Sequence, residues 1–251
     1  LGFLPSFFES PLVDEFRAEQ CHFRKRKATA AGVRDRLIAT GTLFDSLVAY
    51  LARTLKLPEY NIPVIRASDS NAVEKAAEKC RMLWGLGLDT PITNMMRVVE
   101  RAGAVATRFE AGAEKIDAFS RGGARGIIVL NSDKDSTSRT RWDLAHECGH
   151  LVLHFGEEAG NPVLEDSADE FARAFLLPRA AFLREFPSQM SLDWTGVFKF
   201  KRRWRTSAAA IVRRAHDLGR IDAAEYRRAF KYMSARGWRR GEPDEPPDES
   251  P

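Results

Sequence analysis

The spacing of apolar positions changes period twice along this chain. A helical pattern over 30–56 is weakened at Gly41 and stopped by Pro58. Residues 1–27 before it are irregular, with Phe-rich and Pro-containing pieces and a basic run, Arg24-Lys25-Arg26-Lys27. Residues 60–69, with Pro63, read as a linker. Asn71 as N-cap with Glu74 three residues on starts the next helix, which ends at Gly85 and Gly87. Thr90-Pro91 opens a third helix, closed by Gly103. The period then shortens. Three mostly apolar, β-prone runs at 104–109, 116–120 and 126–130 are joined by short links and predict a small antiparallel meander. Helical spacing returns at 140–155, 163–177, 192–203, 207–218 and 222–235. The pattern therefore predicts an α+β centre with helical N- and C-terminal flanks.

Composition narrows this picture. With 251 residues, 44% hydrophobic and 29% charged, the chain has enough apolar material for a core and is not disordered throughout. No stretch free of charged residues exceeds nine (148–156), whereas a membrane-spanning helix needs about 20 apolar residues, so no span is expected. Leu1-Gly2-Phe3-Leu4-Pro5 has no basic region before it, which argues against a secretion signal, and the missing initiator Met suggests part of a longer chain. Three scattered cysteines (Cys21, Cys80, Cys148) suit neither a disulfide framework nor a thiolate zinc site, so a cytoplasmic protein is expected.

Charge adds a second theme. The formal balance is +4, yet residues 241–251 hold five acids, four prolines and no base. That stretch reads as a disordered, solvated tail, and the remainder is basic enough to bring nucleic acid into view. The expected organisation is a linker and helical region at 1–69, a central unit at 70–187, a helical unit at 188–240 and the tail.

The chemistry concentrates in His146-Glu147-Cys148-Gly149-His150. At ~100° per residue, two histidines four apart share a helical face and can reach one ion. Glu147 points to the same side, where it can take a proton from an activated water. Cys148 falls on a separate apolar stripe and is read as packing. A catalytic zinc usually takes three protein ligands. A metzincin-type third histidine is ruled out, because Leu153 and Gly156 stand where Gly and His would be needed. Glu165 and Asp169, four apart on the next helix, supply the missing groups: Glu165 as third ligand, Asp169 as acceptor for the outer N–H of a ligand histidine. Ala168 and Ala172 on that face allow the two helices to approach closely. His154, one turn beyond His150, lies ~12 Å along the axis from His146 and is read as a helix-end histidine facing the dipole. His22 and His216 are read as surface or packing residues. Ile127–Leu130 is the candidate strand for an extended substrate. Arg141 and His216 are read first as packing residues, with oxyanion contact as the alternative.

Residues 199–214 carry seven bases (Lys199, Lys201, Arg202, Arg203, Arg205, Arg213, Arg214) and no acid, with Phe200 and Trp204 interleaved. Two helices tightly joined around Trp204-Arg205-Thr206 have the form of a helix-turn-helix that could contact DNA. The same pattern suits a solvated basic face with its aromatics turned inward.

These residues resemble the ImmA/IrrE family of zinc metallopeptidases over roughly 70–243. The resemblance rests on Asp117-Ala118-Phe119-Ser120, Ile128-Val129-Leu130-Asn131, the run from Arg139 through His146-Glu147-Cys148-Gly149-His150 to His154, and Glu165-Asp166-Ser167-Ala168-Asp169-Glu170-Phe171-Ala172 leading to Leu176-Leu177-Pro178. It departs from the family pattern at Asp169, where Asn is frequent, and at Cys148, where an aliphatic residue is usual. The resemblance implies a thermolysin-like (gluzincin-like) minimal peptidase core, with Zn2+ on His146, His150 and Glu165 and Glu147 as general base. It also implies a repressor-type regulator as protein substrate in a stress or mobile-element response. The stretch around His22-Phe23-Arg24 looks like the linker that follows a Cro/repressor-type helix-turn-helix domain in fused members. The competing expectation is a DNA-binding regulator or antitoxin-like module whose zinc site is a sensor or a relic.

Overall fold

The computed structural model describes residues 31–109, 118–131, 136–157, 161–186, 192–238 and 241–249. Helix α1 (Ala31–Thr54) leads to α2 (Ser70–Leu83) and α3 (Met95–Arg101). The caps differ from the sequence expectation. Asp69 accepts the Ala72 N–H to start α2, and Asn94 accepts the Arg97 N–H to start α3, in place of Asn71 and Thr90-Pro91. Strands β1 (Val105–Phe109), β2 (Ala118–Arg121) and β3 (Ile127–Asn131) follow. Then come α4 (Thr137–Leu153), α5 (Pro162–Leu176), α6 (Arg179–Glu185), α7 (Trp194–Trp204), α8 (Ala208–Asp217) and α9 (Ala223–Ala235). The architecture is α+β. No helix among the described residues is long and apolar enough to cross a membrane.

The sheet corrects the expected meander. Its order is β1-β3-β2, with β3 parallel to β1 and antiparallel to β2. Every residue of β3 is buried. A strand apolar on both faces belongs at the centre of a sheet, and the continuous run Ile127-Ile128-Val129-Leu130 meets that demand.

Helix α4 lies against this sheet and is buried along most of its length, with Leu144, Ala145, Cys148 and Val152 at 0–1% exposure. Its tightest neighbour is α5. An ideal Cβ placed on Gly149 would stand 3.2 Å from Phe171 Cβ and 3.3 Å from Ala168 Cα, so the crossing depends on Gly149 and on the fully buried Ala168 and Ala172. Gly149→Leu is expected to force the helices apart at a cost of roughly 3 kcal/mol. A chemical-denaturation midpoint close to wild type would refute this.

Residues 192–238, read from sequence as part of a separate helical unit, share one hydrophobic cluster with the rest. Phe200 and Trp204 of α7 and Ile211 of α8 pack in the cluster that holds Phe175 and Phe182. Most bases of the 199–214 segment have partners within the chain. Arg214 reaches the Leu177 carbonyl and the Glu74 carboxylate. Arg213 pairs with Asp217, Arg203 with Glu185 and Arg202 with Asp244, while Arg205 donates to the Thr93 carbonyl. Helix α8, the one expected to enter a groove, buries six of its ten residues.

The acidic stretch is a further correction. Residues 241–249 are not a solvated tail but lie against the folded chain. Glu242 and Glu245 both accept from Lys201 Nζ, at 2.8 and 2.9 Å, and the Lys201 side chain is 0% exposed. Glu242 also accepts the Ala208 and Ala209 N–H groups at the start of α8. Glu245 accepts the Ser138 N–H and hydroxyl in the first turn of α4. Glu249 pairs with buried Arg141 and accepts the Met95 N–H at the start of α3. Three carboxylates thus meet three helix N-termini, where unpaired N–H groups and the positive end of the helix dipole favour an anion. Composition suggested solvation because it counts charges without locating their partners.

Candidate metal centre

Ser136 caps α4 by accepting the Arg139 N–H. The helix then runs unbroken through the motif, which places His146 and His150 one turn apart at 1% and 2% exposure. Asn161 and Pro162 start α5, so that Glu165 falls in its first turn and Asp169 one turn later. The close crossing at Gly149 sets these two helix faces together. His146 Nε2 and His150 Nε2 lie 3.1 Å apart, and each is 3.5 Å from one oxygen of Glu165. One donor atom from each of the three residues lies within 4.8 Å of the other two. Glu165 and Asp169 keep 23% and 31% of their side chains exposed, so the centre is reached from the α5 side.

The outer nitrogens decide what the inner ones can do. His146 Nδ1 stands 2.8 Å from Asp169 Oδ1, and an ionised carboxylate only accepts, so Nδ1 carries a proton. A neutral His146 then points a bare Nε2 lone pair at His150 Nε2 and at a carboxylate, an arrangement that suits a cation between them. The Oε1 atom of Glu165 is buried without a hydrogen-bond partner. Two imidazole nitrogens and a carboxylate oxygen are the donor set that suits zinc, so the residues present fit such an ion. Protons meet the same demand. Burial works against the charged form of His146, but hydrogen bonds to Asp169 and Glu165 outweigh it and raise the ring to about 9.

Glu147 sits beside this point at 1% exposure, with its Oε2 buried and unpartnered. Burial pushes its carboxyl up to about 8, against the lowering effect of His146. Such a group exchanges a proton readily near neutral pH. Ser120 of β2 donates to the Glu147 carbonyl at 3.4 Å, tying the strand to this turn of the helix.

The structure thus brings together His146, His150, Glu165, Asp169 and Glu147. Cys148 packs in the core at 1% exposure. Arg141 is turned to Glu249 and the Ile92 carbonyl, and the His216 ring lies tilted against Tyr226 at 4.7 Å, so both pack, as read first, and neither faces the centre. The expected substrate strand is corrected. Strand β3 has a neighbour on both sides and no free edge, and β2 is the edge strand on the α4 side. His22 lies outside the described residues. His154 was missed. It is 5% exposed and its Nδ1 is 2.9 Å from His150 Nδ1. The spacing of four from His150 was the available signal, because it puts both rings on one face.

Comparison with known families gives a match: the family model described as the IrrE N-terminal-like domain, of the M78 peptidases, covers residues 99–216. That span contains all five residues of the centre. No curated protein matches the chain.

Proposed function

We propose, because residues 99–216 belong to the M78 peptidase family, that the chain is a zinc-dependent endopeptidase acting on a regulatory protein. The observation that carries this reading is the convergence of His146, His150 and Glu165 donor atoms within 4.8 Å beside a buried Glu147 whose Oε2 has no hydrogen-bond partner. A zinc ion held by those three residues would supply a more acidic water and a Lewis-acid contact for a peptide carbonyl. Glu147 takes the proton from the attacking water and returns it to the leaving amine. Asp169 holds the His146 ring so that Nε2 remains the ligand atom. An extended substrate reaching the centre meets β2, the edge strand, rather than β3.

A repressor-type transcription factor is the substrate class that the family resemblance suggests, in a stress or mobile-element response in the cytoplasm. The alternative, a DNA-binding module with a sensor or relic zinc site, has less support, because the segment meant to contact phosphates spends most of its cations on internal acceptors. Elemental analysis of the purified chain is expected to give one zinc per molecule, lost in Glu165→Ala. A folded wild-type protein that takes up no zinc from excess would overturn the proposal.

A further inference from the structure

His154 caps the C-terminus of α4 and is the hinge of a hydrogen-bond chain that leaves the centre through His150. Its Nδ1 lies 2.9 Å from His150 Nδ1 and its Nε2 2.9 Å from Ser167 Oγ. Ser167 Oγ is in turn 3.0 Å from the carbonyl oxygens of Val163 and of Leu164. The directions can be read from the far end. A carbonyl oxygen only accepts, so the Ser167 hydroxyl donates to the α5 backbone, and its lone pair is left for a donor. That donor is His154 Nε2–H. A neutral His154 with its proton on Nε2 presents a bare Nδ1, which accepts from His150 Nδ1–H. With its proton on Nδ1, His150 keeps the Nε2 lone pair for the metal point.

We propose that His154, backed by Ser167, is a positioning residue that sets the tautomer and ring orientation of the ligand His150; this rests on the zinc-site reading above. The two ligand rings are then held by unlike acceptors. His146 leans on a carboxylate, and His150 leans on a neutral imidazole whose polarity is fixed by a backbone carbonyl. Ser167 stands two residues after Glu165 on α5, so the chain of bonds also ties the His150 ring to the helix that delivers the third ligand. Loss of an outer partner of a ligand histidine typically weakens metal binding by about 10–100-fold.

The test is zinc affinity of the full chain, measured by competition with a chromophoric chelator at neutral pH. His154→Ala is expected to bind zinc roughly 10–100-fold more weakly than wild type. His154→Asn, whose Oδ1 can accept in place of Nδ1, is expected to recover most of that loss, which a mere packing role would not produce. Histidine-ring nitrogen NMR of the metal-free wild type is expected to show His150 protonated at Nδ1. If His154→Ala does not fold, Ser167→Ala takes its place, with an expected loss of about 5-fold, below the range for direct partners because it frees only the outer link. Wild-type zinc binding with variants within 2-fold of it, or His150 protonated at Nε2 in the metal-free wild type, overturns this inference alone. Failure of the wild type to bind zinc overturns the site reading as well.

Discussion

Turnover of Glu147→Gln is expected to fall by about 10²–10⁴-fold with zinc content unchanged. The substitution keeps the size of the side chain and removes only its capacity to hold a proton. Glu147 is not one of the three residues whose donor atoms converge, so metal retention should follow from His146, His150 and Glu165 alone. Its near-complete burial leaves no bulk water to substitute as proton acceptor at that point. The decisive measurement is kcat/KM on a peptide or protein substrate together with zinc analysis of the same preparation. Turnover within about 3-fold of wild type would remove Glu147 from proton transfer. Loss of zinc along with activity would make it a structural member of the centre instead.

Deleting residues 241–251 is expected to be the most destabilising change to the fold. The deletion leaves Lys201 and Arg141, at 0% and 1% side-chain exposure, without their carboxylates. Removing one partner of a buried ion pair typically costs 3–5 kcal/mol, and here two cations are affected. Water entering the vacated groove rehydrates both and recovers part of this. A net loss of about 5 kcal/mol is comparable with the entire stability of many domains. For a chain of this size that is a fall of roughly 10–20 °C in melting temperature. A truncated protein that melts within about 2 °C of full length would show that the acidic stretch contributes nothing to the fold.

What the sequence revealed, and what it hid, divides along a physical line. Relations set by helical period were legible: the shared face of His146 and His150, the pairing of Glu165 with Asp169, and the small side chains at the crossing of α4 and α5. The separation of Cys148 from the ligand face was legible for the same reason. Relations that join distant segments were not. Nothing local marks β3 as central, although its unbroken apolar run was a usable sign. Lys201 and Glu242 are 41 residues apart, and Arg214 and Glu74 are 140 apart, so counts of charge in each segment overstated how much of it faces water. The place of His154 at the end of α4 was legible, but its ~12 Å along the axis from His146 says nothing of its contact with His150, one turn away.

The bond between Arg141 and Glu249 spans 108 residues, and it has a consequence in time rather than in space. A ribosome adding about 5–20 residues each second needs roughly 5–20 s to travel from one partner to the other. Early in that interval the helix carrying His146 and His150 is translated in full, while Arg141 and the first turns of α3 and α4 await anions not yet synthesised. The nascent chain therefore passes through a stage in which the histidines and Glu165 are all translated while the clasp that locks their helix is still to come.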